Sequence, residues 1–298
     1  MKKIFIILSV ILGLQSCSEK ALDADYKDVT TPFVPAADDH SEEAELRRSF
    51  NAEHGSYLLF NDTLQHVALG RDVNGNMQYF TELIDITYEI GSSSASNNKY
   101  SYTIIPTIER KRQAIEYMEE YILPHLTGKL KPFSWFLADK ITRDFIGSLS
   151  SPYAVAGQRT IAVATNVLPK LSEAQKVQYT RQIMNSIIGK LASDNASAFK
   201  EFTAVSSAYY GGSFSAPATN AENTDILAKA GFICRGQDDF KSEANGLYPS
   251  EDLDLQAYAR MIAANTRETV LAKYADYPLV LKKYEIAYNV LTSLGYKE

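Results

Sequence analysis

The side chains able to do chemistry are few and scattered. The four histidines, His40, His54, His66 and His125, never stand four residues apart. That spacing is what sets two imidazoles on one helical face for a metal. Cys17 and Cys234 are the two thiols and lie far apart in the chain. Glu119-Glu120 sits on a stretch rich in Arg and Lys and reads as a solvated helix face. Glu251, Asp252 and Asp254 open a helix, where acids meet the positive end of its dipole. Gly211-Gly212 has no Lys-Ser/Thr after it, so it reads as a turn rather than a phosphate cradle. No nucleophile elbow, C-x-x-C pair or dinucleotide-binding glycine pattern occurs. A hydrolytic site would have to draw on Glu251, Asp252, His66 or His125. An active metal-dependent peptidase with such a non-standard site is the alternative reading.

The elements come next. Ser172–Ala192 has the marks of an amphipathic helix. Ser172 with Gln175 fits a capping box, and Ile183, Ile187 and Leu191 repeat every four residues beside Met184 and Ile188. Just before it, Arg159–Thr165 reads as a strand, with Ile161 and Val163 alternating against small residues. Within the helix, Tyr179 to Ile188 resembles the active-site helix of a family of bacterial lipoproteins described as zinc-binding metallopeptidases. That family carries His-Glu-Phe-x-His-Ile-Leu there. The resemblance places Gln182 at the first His, Ile183 at the Glu and Ser186 at the second His. Two imidazoles and a water-activating carboxylate are what zinc hydrolysis needs, and all three are replaced. Tyr248 to Leu255 is similar to the family's second motif, Pro-x-Glu-Asp-Phe-Ala-Glu. Its last Glu, a candidate third ligand, falls on Leu255.

The resemblance implies an α+β, zincin-like fold. A twisted, mostly antiparallel sheet packs on the core helix at about 172–192, and a helical C-terminal part follows. It further implies that Arg159–Thr165 is the sheet edge facing a cleft, where an extended peptide could add as a strand. Zinc belongs to the family; no cofactor and no metal is expected here. The loop Tyr209–Phe214 resembles a Tyr-x-Gly-x-aromatic loop of the family. Thr160, Ile161, Val163, Tyr209, Tyr210 and Phe214 are the candidate binding residues.

The N-terminus supplies a second signal. Lys2 and Lys3 precede the apolar run Ile4–Leu14, and Leu14-Gln15-Ser16-Cys17 follows. This reads as a secretory signal peptide over 1–16 ending in a lipobox. Its similarity to bacterial lipoprotein signals implies cleavage before Cys17, acylation of that thiol with chains such as palmitate, and an outer-membrane lipoprotein facing the periplasm or the exterior. If Cys17 carries lipid, Cys234 has no disulfide partner and reads as a buried, inert thiol. Residues 17–40 are acidic, with Pro32 and Pro35, and read as a tether reaching on the order of 25 Å. Residues 41–298 are then one domain, with a sheet-containing half to about 192 and a mainly helical half after it.

Composition fits an ordinary globular chain: 298 residues, 45% hydrophobic and 22% charged, with net charge -6. The acidic balance excludes a basic nucleic-acid footprint. The 19 Tyr and 13 Phe are read mainly as packing. Further elements follow from local patterns. Ser41–Glu53 is a helix stopped by Gly55, and Tyr57–Phe60 is a strand. Asn74-Gly75 marks a hairpin turn, Ile84–Ile90 alternates as a strand, and Tyr100–Ile105 is another. Thr107–Leu123 is a helix ended by Pro124, Ser134–Leu137 a strand, and Ala196–Ala204 is helical. Asn223–Ala230 is a short helix, and Leu279–Leu294 closes the chain as a helix. The combined expectation is a cell-envelope lipoprotein with a degenerate peptidase-like fold. It does no catalysis and binds a peptide, a glycan or a partner protein.

Overall fold

A computed structural model describes residues 33–86, 98–215, 220–233 and 246–298. The signal peptide, Cys17 and Cys234 lie outside the described residues. The contacts divide the chain into two units. Gln65–Thr81 belongs to one; Phe33–Leu64 with Glu82–Glu298 makes up the other. The architecture is mixed α+β with a helical C-terminal part.

The main unit starts earlier than the tether expectation allowed. Phe33 packs its ring on Tyr57 and Phe133, with centroids 5.2 and 4.9 Å away. Arg48 donates to the Ala36 carbonyl. Helix α1 (Glu42–His54) begins at Ser41, whose hydroxyl accepts from the Ala44 N–H. It ends at Gly55 with φ 65°, the left-handed conformation that glycine adopts most easily. Strand β1 (Tyr57–Leu59) follows. The hairpin of β2 (Thr63–Arg71) and β3 (Met77–Leu83) turns at Asn74-Gly75, as its sequence predicts. Asp72 fixes that turn by accepting from the N–H groups of Asn74 and Asn76. These hydrogen bonds hold its carboxyl below the ordinary range.

The expected strand over Ile84–Ile90 does not extend β3. Ile84 and Asp85 lie outside any strand, Ile86 is in a turn, and the rest falls outside the described residues. The Asp85 carboxylate instead accepts from the backbone N–H groups of Arg159 and Thr160. Ile84 and Ile86 pack against the second core cluster, and the Asp85 side chain between them is a polar anchor. Strand β4 (Asn98–Thr103) leads to helix α2 (Ile108–Tyr117), capped by Thr107. One π-helical turn (Met118–Ile122) and a short 3-10 turn (Leu123–His125) complete this region.

The central sheet corrects the sequence expectation. Strands β5 (Ser134–Ala138), β8 (Ala154–Ala156) and β9 (Thr160–Ala164) join β1 in the order β1-β5-β9-β8. β1 runs parallel to β5, and β5 parallel to β9; only β8 is antiparallel. The sheet is therefore mostly parallel. Every residue of β5 and of β9 is buried, because both faces of the sheet are covered. Trp135, Leu137, Ile161 and Val163 enter the main core; Phe136, Ala138, Ala162 and Ala164 enter a second cluster with Ile141. A separate antiparallel sheet joins β4, β6 (Lys140–Phe145) and β7 (Ser148–Ser150).

Helix α3 (Glu173–Asp194) is the predicted core helix. The Gln175 side chain accepts from the Ser172 N–H, and Ile183, Ile187 and Ile188 are fully buried. The chain then runs through a 3-10 turn into α4 (Lys200–Val205), α5 (Asn220–Lys229), α6 (Glu251–Ala264), α7 (Arg267–Lys273) and α8 (Pro278–Leu294). Gly295 ends α8 with φ 116°, and a Cβ there would stand 2.0 Å from the Thr127 carbonyl oxygen. That carbonyl approach admits no side chain.

Candidate functional site

Helix geometry places Tyr179, Gln182, Ser186, Gly189 and Ser193 on one stripe of α3. Each end of the stripe meets a different element. At its start, the Tyr153 ring, just before β8, packs edge-on against Tyr179 with centroids 5.4 Å apart. The Tyr179 hydroxyl donates to the Ala164 carbonyl of β9. At its end, a Cβ on Gly189 would lie 3.1 Å from the Arg260 guanidinium, and Ser193 donates to Asp252. The middle of the stripe thus runs from the β8 edge toward α6.

Gln182 is half-buried and Ser186 is exposed. The Ser186 hydroxyl donates to the Gln182 carbonyl at 2.8 Å, so it is engaged by its own helix. Ile183 has turned into the core with no exposure, and Leu255 is 2% exposed. This set does not fit zinc. Ile183 and Leu255 offer no donor atom and are closed off by apolar neighbours. A carboxamide and a hydroxyl are poor zinc ligands. No hydrolytic step is therefore routed through a metal at this site.

Thr160, Ile161 and Val163 do not lie at an edge. β9 runs between β5 and β8, and all three residues are buried. Thr160 exchanges a 2.8 Å hydrogen bond with Ser134 inside the sheet. The edge is β8, beyond β9. Gly157 N–H donates to Thr160 O, and Ala164 N–H to Tyr153 O. Antiparallel alternation then turns the backbone groups of Val155 toward β9 and those of Ala154 and Ala156 away from it. Among the described residues no strand pairs with that outer side.

Tyr209, Tyr210 and Phe214 are brought together, but as packing. They are half-buried around Phe232 and Tyr248, with Tyr209–Tyr248 and Phe214–Tyr248 centroids 5.1 and 5.0 Å apart. Backbone bonds from Tyr248 to Gly212 and from Phe214 to Gly246 close the loop. The Tyr210 hydroxyl is taken up by Asp254, to which it donates at 2.6 Å.

The sequence reading missed the group beneath that loop. Asp254 is not a dipole acid at the surface. It is fully buried and paired with Lys283 of α8, also fully buried. The Lys283 ammonium also donates to Ser206 and lies 4.4 Å over Phe202 and 4.6 Å over Phe232. Burial pushes the Asp254 carboxyl up to about 6 even though Lys283 and Tyr210 pull it down. Burial likewise lowers Lys283, opposed by Asp254, and burial with the Asp254 charge raises Tyr210. Asp254 Oδ1 is buried without a hydrogen-bond partner. A signal was present in the sequence. Lys283 falls on the stripe Val280, Ala287, Leu291, and Asp254 on Tyr258, Ile262, where a charge needs a partner.

The residues of the alternative hydrolytic site are not assembled. Glu251 and Asp252 are exposed on the first turn of α6, and Asp252 bonds Ser193 and Gln256. His66 bonds Thr81 and stacks on Tyr79 within the hairpin. His125 bonds the Lys297 carbonyl. His54 bonds Glu119 and, with Glu53, forms the one His/Cys/Asp/Glu trio among the described residues whose donor atoms lie within 4.8 Å of one another.

Comparison with family models, with curated proteins and with solved structures returned no match.

Proposed function

We propose that this chain is a lipid-anchored envelope protein with a zincin-like, non-catalytic fold that binds an extended peptide by strand addition at β8. The observation that carries the reading is the outer side of β8, antiparallel to its neighbour and bordered by the start of the inert stripe of α3. A ligand strand there would take up the outward N–H and C=O groups of Ala156, which is half-buried, whereas Ala154 is closed off in the main core. Tyr153, 41% exposed, would supply an aromatic contact. The zincin-like assignment is supported by the order of elements: a mixed sheet with an antiparallel edge, a core helix directly after it, and a second helix opening at Ser250 that packs on the first. The inert chemistry of Gln182, Ile183, Ser186 and Leu255 supports binding over hydrolysis. Envelope location rests on the lipobox ending at Cys17.

The test is selection of extended peptides from a random library on the immobilised full chain, repeated with Ala156→Pro. Proline at 156 removes an N–H that points away from β9 and leaves the β8–β9 ladder intact. Enriched peptides should bind the native chain and lose at least about tenfold in affinity, one hydrogen bond's worth, on the variant. Equal binding to both chains, or no enrichment, would sink the reading.

A further inference from the structure

A second feature of α3 lies on its other flank. Val177, Thr180, Arg181 and Met184, spaced i, i+3, i+4 and i+7, line a cleft of about 420 Å³. This is within the range that small ligands occupy, about 300–1,000 Å³. The opposite wall is the end of α6, Ile262 to Asn265, with the start of α7. His125, Tyr296 and Glu298 complete it. Met184, Ile262 and Tyr296 form a buried apolar floor, and Val177 stands 45% exposed on the wall.

The polar groups around that floor are mixed in sign and mostly acceptors. The Asn265 amide nitrogen donates to Met261 O, which leaves Oδ1 as a free acceptor. His125 Nδ1 bonds the Lys297 carbonyl at 2.7 Å. A carbonyl only accepts, so the proton of the neutral ring sits on Nδ1 and Nε2 is left as an acceptor. Glu298 adds a carboxylate. Arg181 is the cation of the set and forms no ion pair among the described residues.

A ligand carboxylate would gain at Arg181 what it loses at Glu298, and a ligand ammonium the reverse, so a single charge brings no net advantage in this cleft. Three acceptors need hydrogens from the ligand, while one guanidinium needs an oxygen. The floor needs C–H surface. Neutral sugars carry all three: hydroxyls that donate and accept on their edges, and apolar ring faces. We infer that this cleft binds a neutral saccharide of one or two rings, with its ring face on Met184 and Ile262 and its hydroxyls on Arg181, Asn265, His125 and Glu298. The inference is independent of peptide binding at β8.

Methionine methyl groups give the test. The chain has 5 Met, so each ¹³C-methyl resonance of the full chain in detergent is separately followed. Met184 reports the cleft and Met77, on the hairpin, is the reference. The probes are glucose, galactose, mannose, N-acetylglucosamine, xylose, maltose, cellobiose and lactose, each titrated to about 10 mM, past a millimolar Kd. At least one should shift Met184 saturably and leave Met77 in place. Asn265→Ala and Arg181→Ala, both at exposed positions, should each weaken that binding about tenfold. Octanoate and octylamine are the ionic comparators. The inference is overturned if no sugar moves Met184, if only an ionic comparator does, or if the two variants bind the sugar as the native chain does.

Discussion

Replacing Lys283 by Met keeps the length of the side chain and removes its charge. Asp254 is then left fully buried with Tyr210 as its one remaining hydrogen-bond donor. Stranding one member of a buried pair costs about 3–5 kcal/mol. Replacing both members, as Asp254→Asn with Lys283→Met, removes both buried charges and should cost much less than the two single changes added together. The acid dependence has an unusual sign. Asp254 is raised from 3.8 to about 6, so between those values the folded state holds a proton that the unfolded chain has released. Stability from this group is present at the acid end and is lost as pH rises from about 4 to about 6, the reverse of a surface salt-bridged aspartate. A shift of that size corresponds to at most about 3 kcal/mol. The buried Trp135, the single Trp of the chain, reports unfolding by its fluorescence in urea at pH 4.5 and pH 7. The native chain should lose stability relative to the double variant across that interval. A difference that stays flat or grows with pH, or a Lys283→Met cost below about 1 kcal/mol, would refute the account of this pair.

Other consequences are more local. Gly295→Ala should lower stability by more than about 2 kcal/mol, visible as a fall in Tm, because both the left-handed backbone and the Thr127 carbonyl oppose a Cβ. Gln182→His with Ser186→His sets two imidazoles one turn apart on an accessible stripe and should give the full chain a nickel or zinc affinity seen by calorimetry. Adding Ile183→Glu to that pair should not improve the site; it buries a carboxyl in the core and should lower stability by several kcal/mol, measured by urea unfolding. Cys17→Ser should abolish incorporation of radiolabelled palmitate in cells.

Most helices were legible because their signals are local, although α7, capped by Thr266, was not among those expected. Ser41, Thr107, Ser172 and Ser250 each start a helix from within three residues of its first turn, and Gly55 and Gly295 stop theirs by backbone conformation. The sheet was half legible. Runs such as Ser134–Leu137 and Arg159–Thr165 announced strands, but the order β1-β5-β9-β8 depends on pairings between residues as far apart in the chain as Tyr57 and Ser134. No alternation within one strand encodes which neighbour it takes. Val155 shows the limit: Ala154–Ala156 is too short and too small in its side chains to have a period, yet it is the edge. The buried pair was missed for a different reason. Asp254 in a first helical turn has a satisfactory local explanation, and only the packing of α8 reveals that the dipole is not what holds it.

Ile183 bears most directly on what the core helix can do. In a zinc hydrolase built on two helical imidazoles, the position after the first His carries a carboxylate that activates water. Here that position faces Ile187 and the sheet, a sixth of a turn or more from the stripe that holds Gln182 and Ser186, and has no exposure. Burying an isoleucine there contributes about 1.5–3 kcal/mol, and Leu255 contributes similarly on α6. The two apolar residues belong to one core cluster. Returning either position to an acid alone would lose this burial and strand a charge. Under the proposed reading, the absence of catalysis is thus built into how α3 and α6 pack, and the surface left for a peptide is the one that core packing does not use: the outer side of β8 at Ala156 and the open stripe beside it.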